Sequence, residues 1–303
     1  MTHELRSTVA GVDLVVTGEW SPAAMREIES GRADGLVLNY ALGFDARSID
    51  FIAGFPIRRL NVLARWIDDL DAVYSLSATL LELRVQVDPR TVIDLERLPG
   101  LHTLAASWPQ VRGSIDDARK LRNLSVPSYS EADLIPLGAL SALTKLVMKE
   151  RPRLRCLDGI GGMGSLVHLG IHGARDLESI SALAQMSPPS LEVLELTMCR
   201  KIADITAVAA CGELRELDLS EGPEISDLQP LAGLQLLERL YLYGSTKVAD
   251  GDLRPIAGLS RLTDFRMQDR GSYTPSVKAI EDSIARRGAG GEVGVKPGED
   301  GAG

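Results

Sequence analysis

LEVLELTMC (residues 191–199), LRELDLSEG (214–222) and LERLYLYGS (237–245) repeat one pattern three times. Their opening leucines, Leu191, Leu214 and Leu237, lie 23 residues apart, and each unit has the form L-x-x-L-x-L. The last two leucines of a unit are two positions apart and so share one face of a strand. A strand this short cannot bury that face alone. Parallel copies stacked at ~4.8 Å build a sheet with a continuous core behind it. Self-similarity at a fixed period of this size predicts a solenoid.

The remainder of each unit returns the chain. After Leu214 it carries Ile225, Leu228, Leu231 and Leu234, apolar at every third residue. That period suits a 3₁₀ or short helical turn. Asp227 precedes the turn and is placed to cap its free N–H groups. The string recurs as Asp252-Leu-Arg-Pro-Ile256 and Asp133-Leu-Ile-Pro-Leu137, and without proline as Asp204-Ile-Thr-Ala-Val208.

On these units the sequence resembles the leucine-rich-repeat proteins, of the short-repeat sort found in internalins and in regulatory subunits of some phosphatases. The resemblance covers roughly nine tenths of the chain. It implies an α/β solenoid, a curved arc with a parallel sheet on the concave face and short 3₁₀ or helical turns on the convex face. It also implies binding on the concave face. The family's ninth position is usually asparagine, which bonds neighbouring backbones in a ladder. Here that position holds Ala174, Cys199, Gly222 and Ser245, so the ladder is incomplete. The cysteine form resembles the cysteine-containing class of repeats.

Working outward, units open near Ala33, Ile57, Leu80, Leu101, Leu121, Leu143, Leu166, Leu191, Leu214, Leu237 and Leu262. The first five are degenerate. Extra residues near Ser187-Pro188-Pro189 and Val248–Asp252 lengthen two returns. Residues 1–32 read as an N-terminal cap: one strand within 5–20, then a helix opened by Ser21-Pro22 and closed near Gly31. Residues 33–273 hold the repeats. A capping helix over 274–288 presents Val277, Ile280 and Ile284 on one face, and the glycine-rich residues 289–303 read as a disordered tail.

The chain has 303 residues, 45% apolar and 25% charged, with a net charge of −9. An acidic balance argues against nucleic acid as a main partner. The three cysteines, Cys156, Cys199 and Cys211, do not form a disulfide framework, and the last two read as core positions. The N-terminus makes a poor secretory signal, and no apolar run long enough to span a membrane is present. Cytoplasm is the expected location, and the excess of arginine over lysine points to a bacterial source.

The third, fifth and seventh residues of each unit face away from the core. From Leu143 onward the third positions are Lys145, His168, Val193, Glu216, Arg239 and Asp264. The fifth are Val147, Gly170, Glu195, Asp218, Tyr241 and Arg266, and the seventh are Lys149, His172, Thr197, Ser220, Tyr243 and Gln268. Glu195, Glu216 and Asp218, edged by Arg239, Tyr241 and Tyr243, form the informative cluster. Like charges in one column repel, and a protein partner with a basic surface would relieve them. Tyrosines supply contacts of the kind that dominate binding, so recognition is favoured over a merely solvated face.

His168 and His172 are ~13 Å apart along one strand, too far to chelate one ion, and read as ordinary surface residues. Trp108 serves either as a second anchor or in packing. No phosphate-binding loop, nucleophile elbow or H-E-x-x-H motif occurs, and Gly159–Gly164 fall in a return. The expected function is that of an adaptor or inhibitor, without cofactor, metal or catalysis. Two alternatives stand beside it: a hydrolase using Glu195 and Asp218 at ~5 Å, and an assembly subunit binding through its edges.

Overall fold

One stack of apolar side chains runs the length of the molecule, and the architecture follows from it. Leu14, Leu36, Leu60, Leu83, Leu104, Leu124, Leu146, Leu169, Leu194, Leu217, Leu240 and Phe265 stand in register on successive parallel strands. Leu217 and Leu240 are fully buried. The computed structural model describes residues 2–290; most of the stretch read as a tail, from 291 on, lies outside the described residues.

Among these residues thirteen strands form one sheet. The first nine are β1 (His3–Thr8), β2 (Gly11–Val16), β3 (Gly35–Asn39), β4 (Arg59–Leu63), β5 (Glu82–Gln86), β6 (Thr103–Ala105), β7 (Asn123–Pro127), β8 (Lys145–Lys149) and β9 (His168–Ile171). There follow β10 (Val193–Glu195), β11 (Glu216–Asp218), β13 (Arg239–Leu242) and β15 (Asp264–Met267). Between them β12 (Glu224–Ile225) and β14 (Lys247–Val248) pair separately in two returns. All eleven expected units supply a strand to the sheet.

In four returns an aspartate bonds the first backbone N–H groups of the turn. Asp133, Asp204, Asp227 and Asp252 accept bonds from the backbone N–H groups of Ile135, Thr206, Gln229 and Arg254 at 2.8–3.0 Å. In six consecutive units, from the one opening at Leu121 to the one opening at Leu237, the chain leaves the strand through a left-handed residue at the eighth position. Ser128, Glu150, Gly173, Met198, Glu221 and Gly244 occupy it, with φ between 55° and 77°.

Cys199 is buried, and its Sγ lies 3.5 Å from the carbonyl of Ile171 in the preceding unit. In the next such step the ladder residue is Thr246, not Ser245. Ser245 is exposed, although its Oγ reaches the Gly222 carbonyl. The buried Thr246 hydroxyl donates to Leu219 O at 2.7 Å and accepts from Gly222 N at 2.9 Å. A backbone pair left open by Gly222 is thus closed one position further on.

The N-terminal cap is a hairpin, not a single strand. Apolar Val9 belongs to the turn, and β1 pairs antiparallel with β2. β2 then starts the parallel stack, with Leu14, Val15 and Val16 fully buried. Helix α1 (Pro22–Glu29) begins where Ser21 Oγ accepts from Ala24 N, and it buries Ala24 and Ile28. Arg59 fastens the hairpin to the first two units, meeting Asp13 at 2.9 Å, Asp34 at 2.6 Å and the Ala10 carbonyl at 2.7 Å. Short helices α2 (Asp71–Tyr74), α3 (Trp108–Val111) and α4 (Arg254–Ala257) lie in returns. The closing helix α5 (Val277–Gly290) runs two residues beyond the expected end, and buries Val277 and Ile280.

Trp108 opens α3 and is a packing residue. It is buried, its ring centroid lies 4.5 Å from that of Tyr129, and its Nε1 donates to Glu131 at 2.7 Å. It offers no surface to a partner.

Candidate functional site

The outward residues of β9–β15 meet across strands because the register is exact along every row: Glu195 faces Asp218, Asp218 faces Tyr241, and Tyr241 faces Arg266. Three small networks result. Arg239 donates to Glu216 Oε2 at 2.7 Å, and this pairing raises the Arg239 pKa. The Tyr241 hydroxyl donates to Asp264 Oδ2 at 2.7 Å, while Arg266 meets the same carboxylate at 3.2 Å and lies 5.3 Å from the Tyr241 ring. Burial, then the Asp264 carboxylate, push Tyr241 up to about 12, and the tyrosine hydroxyl lowers Asp264 in turn.

The third network was not foreseen. His168 Nε2 and His172 Nε2 lie 3.5 Å and 3.3 Å from one oxygen, Oε2 of Glu195. The ~13 Å between their Cα atoms does not keep the rings apart, because Gly170 stands between them with no side chain. A β-carbon at Gly170 would come within 3.0 Å of Glu195 Oε2 and 3.1 Å of His172 Nε2. His172 Nδ1 shares a 2.7 Å hydrogen bond with Thr197 Oγ1, which fixes its ring. His168 first, then His172, hold the Glu195 carboxyl well below the usual carboxylate range. The signal was present: His-x-Gly-x-His, with an acid in the glycine's row on the next strand. Among the described residues no group of three His, Cys, Asp or Glu is arranged to hold a metal ion.

Two of the three clustered acids therefore already have partners within the chain. Arg239 supplies for Glu216 the relief that the sequence reading assigned to a basic ligand, and two imidazole rings stand beside Glu195. Asp218 differs: its Oδ1 accepts only from Ser220 N, at 2.8 Å, and no cation of the described chain pairs with it. Asp218, Ser220, Tyr241, Tyr243 and Arg266 line a hollow of about 420 Å³, and Tyr243 is 61% exposed beside it. Lys145, exposed in the row of His168, sits three strands from Glu216 and belongs to a separate hollow with Arg84 and Asn123.

No family model matches the chain. No curated protein matches it either. Solved structures do. An internalin (inlF) from Listeria monocytogenes superposes with a TM-score of 0.59 at 21% identity, over 91% of this chain and 86% of that one. A TDR receptor gives 0.51 at 15% identity, over 70% of this chain and 38% of that one. The plant peptide hormone receptor RGFR1, in complex with RGF2, gives 0.50 at 14%, over 84% of this chain and 46% of that one. With the stacked parallel strands these likenesses define the fold as the leucine-rich-repeat solenoid.

Proposed function

We propose that this chain is a protein-recognition scaffold, an adaptor or inhibitor, that holds its partner on the concave face of β10–β15. The observation that carries the reading is the hollow beside Tyr243. An aromatic ring exposed at 61%, a second tyrosine braced by Asp264, and an unpaired carboxylate at Asp218 meet there. A tyrosine pinned as Tyr241 is loses little entropy on binding, and an unpaired acid favours a partner group of positive charge. A structural neighbour caught in complex with RGF2 supports the class of function. Three cysteines without a disulfide support a reducing, cytoplasmic setting.

A hydrolase at Glu195 and Asp218 has less support. A glycosidase acid needs a raised carboxyl pKa, and Glu195 is displaced in the opposite direction by its two histidines.

The test is capture of a partner from native lysate followed by affinity measurements on variants. Asp218→Lys is the informative charge reversal, because Glu195 is already engaged by histidines. It should weaken binding at low salt, and the loss should shrink as salt rises. Tyr241→Ala should cost about 2 kcal/mol of affinity with little salt dependence. A partner that binds both variants as tightly as the parent would remove this face from consideration.

A further inference from the structure

A second surface has the opposite charge. At the C-terminal ends of β8, β9 and β10 the chain turns away from the sheet, and the turns enclose a groove of about 910 Å³. Its lining includes Lys149, Arg151, Arg175, Arg200 and Lys201, against a single carboxylate, Glu150. In a chain of net charge −9 this is a local reversal of sign. Lys201 is held by Glu178 at 2.7 Å and Asp176 at 3.4 Å. The other four are exposed, and none forms an ion pair among the described residues. The Met198 side chain, 48% exposed, lies among them as an apolar contact.

Folding does not need this arrangement. Like charges on three consecutive turns repel, and among the described residues no carboxylate forms an ion pair with Lys149, Arg151, Arg175 or Arg200. The left-handed eighth positions are Glu150, Gly173 and Met198, and the arginines that follow them, Arg151, Arg175 and Arg200, line one groove. Three strands span ~10 Å, the length of about three extended residues, and the arginine arms add reach on either side. Planar guanidinium groups pair two-pronged with carboxylates, and their stems cover apolar surface.

We infer that this groove is a docking site for a short acidic peptide segment of a partner protein, its aspartate or glutamate side chains pairing with Arg151, Arg175 and Arg200 and an apolar residue resting on Met198. A protein segment is favoured over nucleic acid because the cations cover only three repeats. Beyond them the acidic body of the chain would repel a long polyanion. The surface is distinct from the tyrosine hollow in both place and sign, so either can fail while the other stands.

The probe is a fluorescein-labelled peptide of glutamates and aspartates around one leucine, followed by fluorescence anisotropy on the full chain. Its lysine counterpart serves as control and an oligothymidylate as competitor. The acidic peptide should bind saturably, weaken with salt, and lose about tenfold or more in affinity in Arg175→Glu with Arg200→Glu. Lys149→Ala with Arg151→Ala should lose less, and Tyr241→Ala should leave binding unchanged. Both double variants lie on exposed side chains and should keep the parent's melting curve. Absence of saturable binding, equal binding by the arginine variant, or an oligothymidylate that outcompetes the peptide would each overturn the assignment.

Discussion

On β4, β5, β6 and β7 the outward fifth positions are Asn61, Arg84, Ala105 and Ser125; on β10, β11, β13 and β15 they are Glu195, Asp218, Tyr241 and Arg266. Behind both sets the inward residues are interchangeable: Leu60, Leu83, Leu104 and Leu124 are as buried as Leu194, Leu217 and Leu240. The two halves thus share a core and differ in their face. In the first half small side chains leave a shallow hollow that Asn61, Arg84, Ala105 and Ser125 help to line. In the second, Arg239–Glu216, Tyr241–Asp264 and the contact of His168 with Glu195 link neighbouring strands, where the first half has Arg59 to Asp13 and Asn123 to Thr103. A repeat core constrains only its inward positions, so the outward ones are free to take up recognition.

The largest effect expected from breaking this comparison is at the end of the stack. Deletion of residues 1–31 would remove the hairpin and α1, leaving Leu36 and Leu38 without cover and Arg59 without Asp13. The shortened chain should aggregate, as size-exclusion chromatography and far-ultraviolet circular dichroism would reveal. A soluble, cooperatively melting product would mean that the hairpin is an ornament on the first repeat.

Next in size is a paired core test. Leu60→Ala and Leu217→Ala should each cost about 2–5 kcal/mol in denaturant unfolding, because both sit in the same stack with the same burial. A much smaller cost at Leu60 would show that the degenerate first half packs more loosely, and the shared-core half of the comparison would fall.

Smaller again is a tyrosine pair, one from each half. Tyr129 is fully buried and its hydroxyl donates to the Asp133 carbonyl at 2.8 Å. Tyr129→Phe leaves that carbonyl without its partner beside a fully buried ring, at about 1–3 kcal/mol. Tyr241→Phe should cost about 1 kcal/mol or less, because Asp264 keeps Arg266 and reaches solvent. Equal costs would mean that the concave network is as structural as the core and carries no surplus for binding.

The difference between the halves also explains what the sequence disclosed. Leucines at fixed spacing report burial directly, so all eleven units, the capping acids and the closing helix were legible. The hairpin was not, because Val9 in its turn extends the apolar run across two strands. The histidine–carboxylate network was missed for another reason. Backbone spacing along one strand sets where Cα atoms lie, whereas the meeting of His168, His172 and Glu195 depends on side-chain reach over the vacancy at Gly170. The basic groove was missed because its arginines follow the strands. Arg151, Arg175 and Arg200 look like loop in one unit and become neighbours only when three turns are stacked.

That network supplies the finest test, a pH dependence tied to the Glu195 carboxyl. His168 and His172 depress the Glu195 carboxyl below its unfolded value of about 4.3. The folded chain therefore binds fewer protons at this group than the unfolded chain does. The sign follows: the stabilisation is fully present above the unfolded value and is lost as pH falls through it toward the folded one. Glu195→Gln has no such group, so the stability gap between parent and variant should narrow on acidification from about pH 6 to about pH 3. The side chain is 25% exposed, and solvent screening keeps the expected narrowing to about 1 kcal/mol. Gly170→Ala places a β-carbon against both the carboxylate and His172, and should flatten the same limb while leaving the core intact. Parallel acid limbs for parent and Glu195→Gln would mean that the imidazoles do not hold this carboxylate in solution. Glu195 would then be available to a basic partner beside Asp218, and β10 would add a second free carboxylate to the recognition surface.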